Sequence, residues 1–121
     1  MSVKDAAAPR VKSVSPAENA TGVSPSANVA AVFSEAMKSS TVNATTVKLR
    51  KAGTTTNVSA TVSYNQTTHK ATLNPGASLR RGAKYVVTAT TGAQDLAGNA
   101  LDQDPAKAGN QAKVWSFTVH R

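Results

Sequence analysis

Carboxylate side chains gather in one short stretch of the sequence, between Gly92 and Lys113. Asp95, Asp102 and Asp104 lie there, half of the six acidic residues in a chain whose formal net charge is +8. Ca²⁺ binds about six to eight oxygen atoms, which clustered carboxylates can supply. The spacing matches neither the EF-hand loop nor the calcium-binding nonapeptide repeat. The three aspartates are therefore a calcium candidate without a recognised loop pattern.

The same residues also fit a tight turn between two strands. The side chain of Asp95 can cap a turn by accepting backbone N–H groups. Gly98 and Asn99 can supply backbone conformations with positive φ. We favour this interpretation, in which residues 95–101 form a corner that binds no ion.

Residue types that carry catalysis are poorly placed for it. His69 is expected in a hairpin turn and His120 at the chain end, both exposed to solvent, and no Gly-x-Ser-x-Gly motif is present. Glu18 and Glu35 are both expected in loops, without a partner carboxylate across a groove. The absence of cysteine excludes thiol nucleophiles, Cys-ligated zinc and disulfides. We predict a protein that is not an enzyme and has no bound cofactor.

Short β-strands separated by polar turns are the dominant pattern. Ala, Val, Ser and Thr are abundant, and no stretch has the period of an amphipathic helix. Strands are predicted at residues 10–16, 27–34, 47–51, 60–65, 70–75, 83–92 and 114–120. A parallel sheet would need long crossover connections, for which the chain has no helix. The pattern predicts an all-β sandwich of about seven antiparallel strands in two sheets, with one short helical turn after the second strand.

Residues 1–9 are predicted to be a linker, and residues 10–121 a single domain. The first ten residues, MSVKDAAAPR, lack the apolar segment of a signal peptide. No run approaches the roughly 18 apolar residues of a membrane-spanning helix. We therefore expect an excised domain of a longer protein, without membrane insertion.

The positive charge is spread along the sequence. Its densest groups contain Lys48, Arg50, Lys51, Arg80 and Arg81. Single-stranded nucleic acid is bound with aromatic platforms beside the charge, and the few aromatic residues here are expected in the core, so we predict no nucleic-acid partner. If the domain binds a ligand, these cations would attract an acidic polysaccharide.

Several segments resemble the bacterial Ig-like domains found in S-layer proteins and other large, repetitive surface proteins. They follow the order of that family and lie at residues 14–23, 32–37, 40–42, 73–101 and 115–119. The resemblance implies an Ig-like Greek-key sandwich. It also implies a structural spacer at the bacterial surface or outside the cell, monomeric and with neighbouring domains of a larger exported protein as its partners.

Five residues are expected to be structural residues of the core. Tyr85, in LRRGAKY, matches a tyrosine corner, whose hydroxyl bonds backbone a few residues upstream. Met37 would fill an irregular gap at the end of the core, and Trp115 would be the large central residue. Phe33 and Phe117 face inward in the alternation of their strands.

Periplasmic copper-resistance proteins share a similar sandwich and a comparable turn after the second strand. Their sites use histidines, including one at the mature N-terminus, whereas this chain has none before His69. A copper role is therefore not expected. Besides the spacer, two alternatives stay open: an adhesion module that binds a polysaccharide, and a calcium-stabilised joint between domains.

Overall fold

Two four-stranded sheets pack face to face in the computed structural model, which describes residues 8–103 and 109–121. The strands are β1 (Val11–Ser15), β2 (Ala20–Val23), β3 (Val29–Phe33), β4 (Val47–Lys51), β5 (Ala60–Asn65), β6 (Lys70–Pro75), β7 (Lys84–Ala89) and β8 (Lys113–Val119). One sheet has the order β1-β3-β6-β5 and the other β2-β8-β7-β4. A single 3-10 turn, Ser39–Thr41, follows β3 within the described part of the chain. The predicted all-β sandwich is confirmed.

Strand β2 is added to the roughly seven antiparallel strands that the sequence predicts. It pairs with β8 in parallel, whereas the other strand pairs described are antiparallel. Its four residues, ATGV, show no apolar alternation, so the sequence predicts a loop with extended pieces there. The segment is extended because β8 supplies its partners: Asn19 N–H donates to the Ser116 carbonyl at 2.7 Å, and His120 N–H to the Val23 carbonyl at 2.7 Å.

The inward faces of both sheets form one core around aromatic side chains. Trp115 is 2% exposed, and Phe33 and Phe117 are each 1% exposed. The indole Nε1–H of Trp115 donates to the Pro16 carbonyl at 3.1 Å, so its polar atom has a partner. The rings of Tyr85 and Phe117 stack with their centroids 6.0 Å apart. Burying a side chain such as Phe stabilises the fold by about 1.5–3 kcal/mol.

The connection from β6 to β7 contains the hydrogen bond that a tyrosine corner requires. The Tyr85 hydroxyl accepts the backbone N–H of Arg80 at 2.9 Å. Between them, Gly82 has φ 75, and its N–H is shared between the carbonyls of Val119 and His120, each at 3.2 Å. The corner is thereby fixed against the end of β8.

The described ends of the chain leave the sandwich at opposite ends. We call the end with the β3–β4, β5–β6 and β7–β8 connections the N-terminal pole, and the end with the β2–β3, β4–β5 and β6–β7 connections the C-terminal pole. Pro9 lies at the N-terminal pole, where its carbonyl accepts the N–H of Asp102 at 3.1 Å. Arg121 lies at the C-terminal pole beside Gly82. The two sheets therefore lie between the two described ends of the chain.

Candidate functional site

The Asp95 carboxylate organises the corner of residues 92–101 at the N-terminal pole. It is fully buried, with 0% exposure. Its Oδ1 accepts the backbone N–H groups of Ala97 at 3.0 Å and Asn99 at 2.8 Å, and its Oδ2 accepts the Asn99 side-chain amide at 3.0 Å. The carbonyl of Asp95 also accepts the N–H of Gly98 at 3.0 Å. These bonds give the carboxylate a structural task inside the fold.

Gly98, with φ 93°, is the only residue of this corner that has a positive φ. The prediction that Asn99 shares it is wrong. Asn99 pairs with Asp95 instead, through its backbone N–H, its side-chain amide and its carbonyl, which accepts Asp95 N–H at 3.0 Å. Each fixed residue of the Asp-x-x-Gly-Asn pattern thus has a role: Asp95 accepts hydrogen bonds, Gly98 adopts positive φ, and Asn99 donates through both its backbone and its side chain.

The corner is joined to the β3–β4 connection. Met37 forms an antiparallel bridge with Asp95, and Lys38 N–H donates to the Gln94 carbonyl at 2.8 Å. Gln94 N–H in turn donates to the Thr41 hydroxyl at 2.9 Å. The two connections therefore form a single unit at the N-terminal pole.

Met37 is the centre of this unit and is 0% exposed. Its N–H donates to the Tyr64 hydroxyl at 2.8 Å, and its carbonyl accepts the Gln66 side-chain amide at 3.0 Å. The side chain closes the end of the core. Residues of β5 and of the β5–β6 hairpin form the hydrogen bonds to its backbone N–H and carbonyl.

Asp102 and Asp104 complete the set of carboxylates that the sequence singles out. Asp102 is 9% exposed, and its Oδ1 accepts the N–H of Gln111 at 3.0 Å. Asp104 lies outside the described residues. In residues 8–103 and 109–121, no three His, Cys, Asp or Glu side chains form a group that could hold a metal ion. A calcium site formed with Asp104 stays a prediction.

Gln103 makes a pair of contacts that the sequence does not reveal. Its Oε1 accepts the N–H of Val11 at 2.8 Å, and its Nε2 donates to the Val11 carbonyl at 3.0 Å. Strand β1 is an edge strand, so these bonds use backbone groups that face away from the sheet. No local sequence signal marks a glutamine that bonds a strand 92 positions away.

The two histidines lie at opposite poles. His69 ends the β5–β6 hairpin with φ 60 and is half-buried, and its carbonyl accepts the N–H of Phe33 at 2.9 Å. The prediction that both histidines are exposed is therefore wrong for His69, because the hairpin packs against the end of β3. His120 is exposed beyond β8. The two side chains cannot meet in one site.

A groove on the outer face of β4 and β7 collects polar side chains. It has a volume of about 420 Å³ and is lined by Lys48, Arg50, Thr54, Thr55, Asn57, Val86 and Thr88. Lys48 and Arg50 point outward because Val47 and Leu49, which alternate with them, are buried. The β4–β5 connection forms the wall, since Val58 N–H donates to the Leu49 carbonyl at 2.6 Å.

Only two of the five cations singled out from the sequence line this groove. Lys51 follows at the end of β4, and Arg80 and Arg81 lie in the β6–β7 connection. The threonines and the asparagine of the groove have no distinguishing pattern in the sequence. They come together because the β4–β5 connection folds back beside β4.

The described part of the chain contains no helix long and apolar enough to cross a membrane.

Solved structures with this fold include S-layer and copper-resistance proteins. The S-layer protein SbsC is 21% identical, with a TM-score of 0.65, over 94% of this chain and 14% of that chain. The methionine-rich copper resistance protein PcoC from Escherichia coli is 20% identical, with a TM-score of 0.67, over 93% of this chain and 99% of that one. CopC from Methylosinus trichosporium OB3b is 16% identical, with a TM-score of 0.66, over 93% of both chains. At these identities the likeness establishes a common fold.

The chain spans 14% of the length of the SbsC chain, the size of one domain within a longer protein. No functionally curated protein matches the sequence. The sequence profile of the bacterial Ig-like domain matches residues 5–119, which confirms the resemblance carried by the sequence motifs: the chain belongs to the bacterial Ig-like domain family.

Proposed function

We propose that this domain is a non-enzymatic spacer of a larger exported protein at the bacterial surface, and that it transmits tension between its neighbours. The observation that carries the proposal is the position of the described ends, Pro9 and Arg121, at opposite poles. Domains joined through such ends line up in series, each adding its length to the array.

The parallel pairing of β2 with β8 supports a load-bearing role. A pull on the two chain ends draws β2 toward the N-terminal pole and β8 toward the C-terminal pole. The strands must then slide along each other, so the bonds between them are loaded together instead of one after another. The Asn19–Ser116 and His120–Val23 backbone bonds, each 2.7 Å long, stand in this position.

Two side-chain contacts also join β8 to the segment that precedes β2. The Trp115 indole donates to the Pro16 carbonyl at 3.1 Å from inside the core. Lys113 and Glu18 form an ion pair at 3.5 Å, which contributes at most about 1 kcal/mol because the Glu18 side chain is exposed. The segment before β2 is thus attached to β8 on both sides.

The positions of Asp95 and of the two histidines support a role without enzymatic activity. Asp95 is buried and occupied by backbone donors, and the histidines lie at opposite poles. SbsC, a bacterial S-layer protein, offers a precedent for this fold within a surface protein.

Single-molecule pulling tests the load-bearing role. Handles at residues 8 and 121 load β2 and β8 in the sliding direction. Handles on Ser59→Cys and Ala77→Cys, both at exposed positions, instead unzip the β5–β6 hairpin pair by pair. The chain has no native cysteine, so attachment is unique.

We expect rupture at a clearly higher force for the end-to-end handles. Rupture at an equal or lower force than for the hairpin handles would overturn the load-bearing role. Thermal unfolding of the cysteine variants without handles is the control for intact folding.

A further inference from the structure

Most cations among the described residues form no ion pair with another described residue. The described acidic residues are Glu18, Glu35, Asp95 and Asp102. Asp95 and Asp102 are buried, and Glu18 binds Lys113 in the one ion pair found among residues 8–103 and 109–121. None of the four lines the groove on the outer face of β4 and β7. Lys48 and Arg50 therefore face a groove that no described carboxylate lines.

The two cations are held in a fixed arrangement along β4. They are two residues apart on the same face, which separates them by roughly 7 Å. Across the strand pair, Lys48 lies opposite Thr88 and Arg50 opposite Val86. Both cations are half-buried, so an anion in the groove would be partly shielded from water and would interact with them more strongly than at an open surface.

Arg50 is oriented by the β4–β5 connection. Its Nη1 donates to the Thr54 carbonyl at 3.1 Å, and an antiparallel bridge joins its backbone to Asn57. A guanidinium has five N–H donors in a planar fork, so this bond leaves others for a carboxylate or sulfate. Less side-chain entropy is lost on binding when the fork is already positioned.

The remaining lining suits a sugar. Thr55, Thr88 and Asn57 offer hydroxyl and amide groups that can exchange hydrogen bonds with sugar hydroxyls. Val86 contributes the apolar part of the floor. No aromatic residue lines the groove, so it lacks the stacking surface by which single-stranded nucleic acids are bound.

We propose that this groove binds an acidic polysaccharide, with Lys48 and Arg50 pairing with its carboxylate or sulfate groups and Thr88 and Asn57 with its hydroxyls. This site goes beyond the spacer role and does not depend on it. A load-bearing domain with such a groove would also attach its parent protein to an anionic glycan.

Binding of defined polymers to the full chain tests the site. The probes are polygalacturonate with carboxylates, heparin with sulfates, uncharged dextran and single-stranded DNA, measured by titration calorimetry. The salt concentration is about 0.15 M, where the Debye length is about 8 Å and diffuse attraction is largely screened. We expect one or both anionic polysaccharides to bind, and dextran and DNA to bind at least about tenfold more weakly, a difference of about 1.4 kcal/mol.

A charge-matched pair of variants locates the site. K48Q/R50Q and R80Q/R81Q remove the same charge, the first pair inside the groove and the second in the β6–β7 connection. We expect K48Q/R50Q to weaken binding by about tenfold or more, because two charge-assisted contacts are lost, and R80Q/R81Q to weaken it by less than about threefold. Thermal unfolding of both variants verifies that they fold.

Three outcomes would overturn the proposal. The first is equal weakening by the two double variants, which would indicate diffuse charge attraction. The second is DNA binding as tight as that of the polysaccharides, and the third is no binding of either anionic polysaccharide. The pulling experiment is unaffected by any of them, so the spacer role and the groove can fail separately.

Discussion

The side-chain amide of Asn99 and its backbone N–H both donate to the carboxylate of Asp95, at 3.0 Å and 2.8 Å. One residue thus binds both oxygens of a buried carboxylate four positions upstream. The carboxylate replaces the backbone carbonyls that a regular strand would have supplied to these donors. The stability of the N-terminal pole therefore depends on this pair.

We predict that Asp95→Ala destabilises the domain by about 3–5 kcal/mol, because two backbone N–H groups and one side-chain amide lose the buried carboxylate that accepts them. Asp95→Asn should be less damaging, since one oxygen is kept for the backbone donors. Urea unfolding followed by circular dichroism measures both. A loss below about 1 kcal/mol for Asp95→Ala would contradict the structural role given to this carboxylate.

Calcium should leave the melting temperature of the parent chain unchanged, because the Asp95 oxygens already accept hydrogen bonds from Ala97 and Asn99. The measurement is thermal unfolding with added CaCl₂ and with chelator. An Asp102→Ala, Asp104→Ala double variant is the comparison. A calcium-dependent rise in the parent that is absent from the variant would support a joint stabilised by the ion, by mass action.

Tyr85→Phe should cost about 1–2 kcal/mol, because the N–H of Arg80 loses its acceptor while the ring still packs on Phe117. Chemical unfolding gives the value. Arg81→Gln, at an exposed position in the same connection, is the matched control and should change stability by less than about 0.5 kcal/mol. Equal effects of the two substitutions would mean that the hydroxyl contributes nothing specific.

Trp115→Phe should cost about 2–4 kcal/mol, since it leaves a cavity in the core and removes the bond to the Pro16 carbonyl. Because Pro16 precedes β2, the variant should also lower the rupture force between end-to-end handles. Unfolding by urea and pulling measure the two effects. A normal rupture force with reduced stability would exclude the Trp115–Pro16 contact from the load path.

Two copies of the chain joined end to end should form an elongated particle. Because the described ends lie at opposite poles, the maximum dimension in small-angle X-ray scattering should approach twice that of one copy. The same pair joined through a long Gly/Ser linker is the control for flexible connection. A compact particle, with the copies side by side, would argue against a spacer.

The sequence predicts the elements whose side chains alternate clearly. Strand β8, with Trp115 and Phe117 buried, follows from period-two alternation alone. The outward position of Lys48 and Arg50 follows in the same way. These features depend only on residues within one strand, so the alternation of apolar and polar residues is sufficient to predict them.

Features created by distant partners are not predictable in this way. Strand β2 has no apolar pattern and is extended because β8 lies beside it. Gln103 reaches β1 across nearly the whole chain. The groove beside β4 forms only because the β4–β5 connection folds back against that strand. The polar residues of this connection have no periodic pattern from which its conformation could be predicted. In each case the determining contact is tertiary.

The amide of Gln103 also has a consequence for neighbouring copies. An edge strand with unpaired backbone groups is a template for strands of other molecules. In a tandem protein, similar edges would be confined near one another at an effective concentration that reaches the millimolar range for short linkers. The side-chain amide of Gln103 bonds both the N–H and the carbonyl of Val11, so that at this position it takes the place of a further strand at the edge of the sheet. In a tandem protein, the β1 edge would therefore be less able to pair at Val11 with the edge strand of a neighbouring copy.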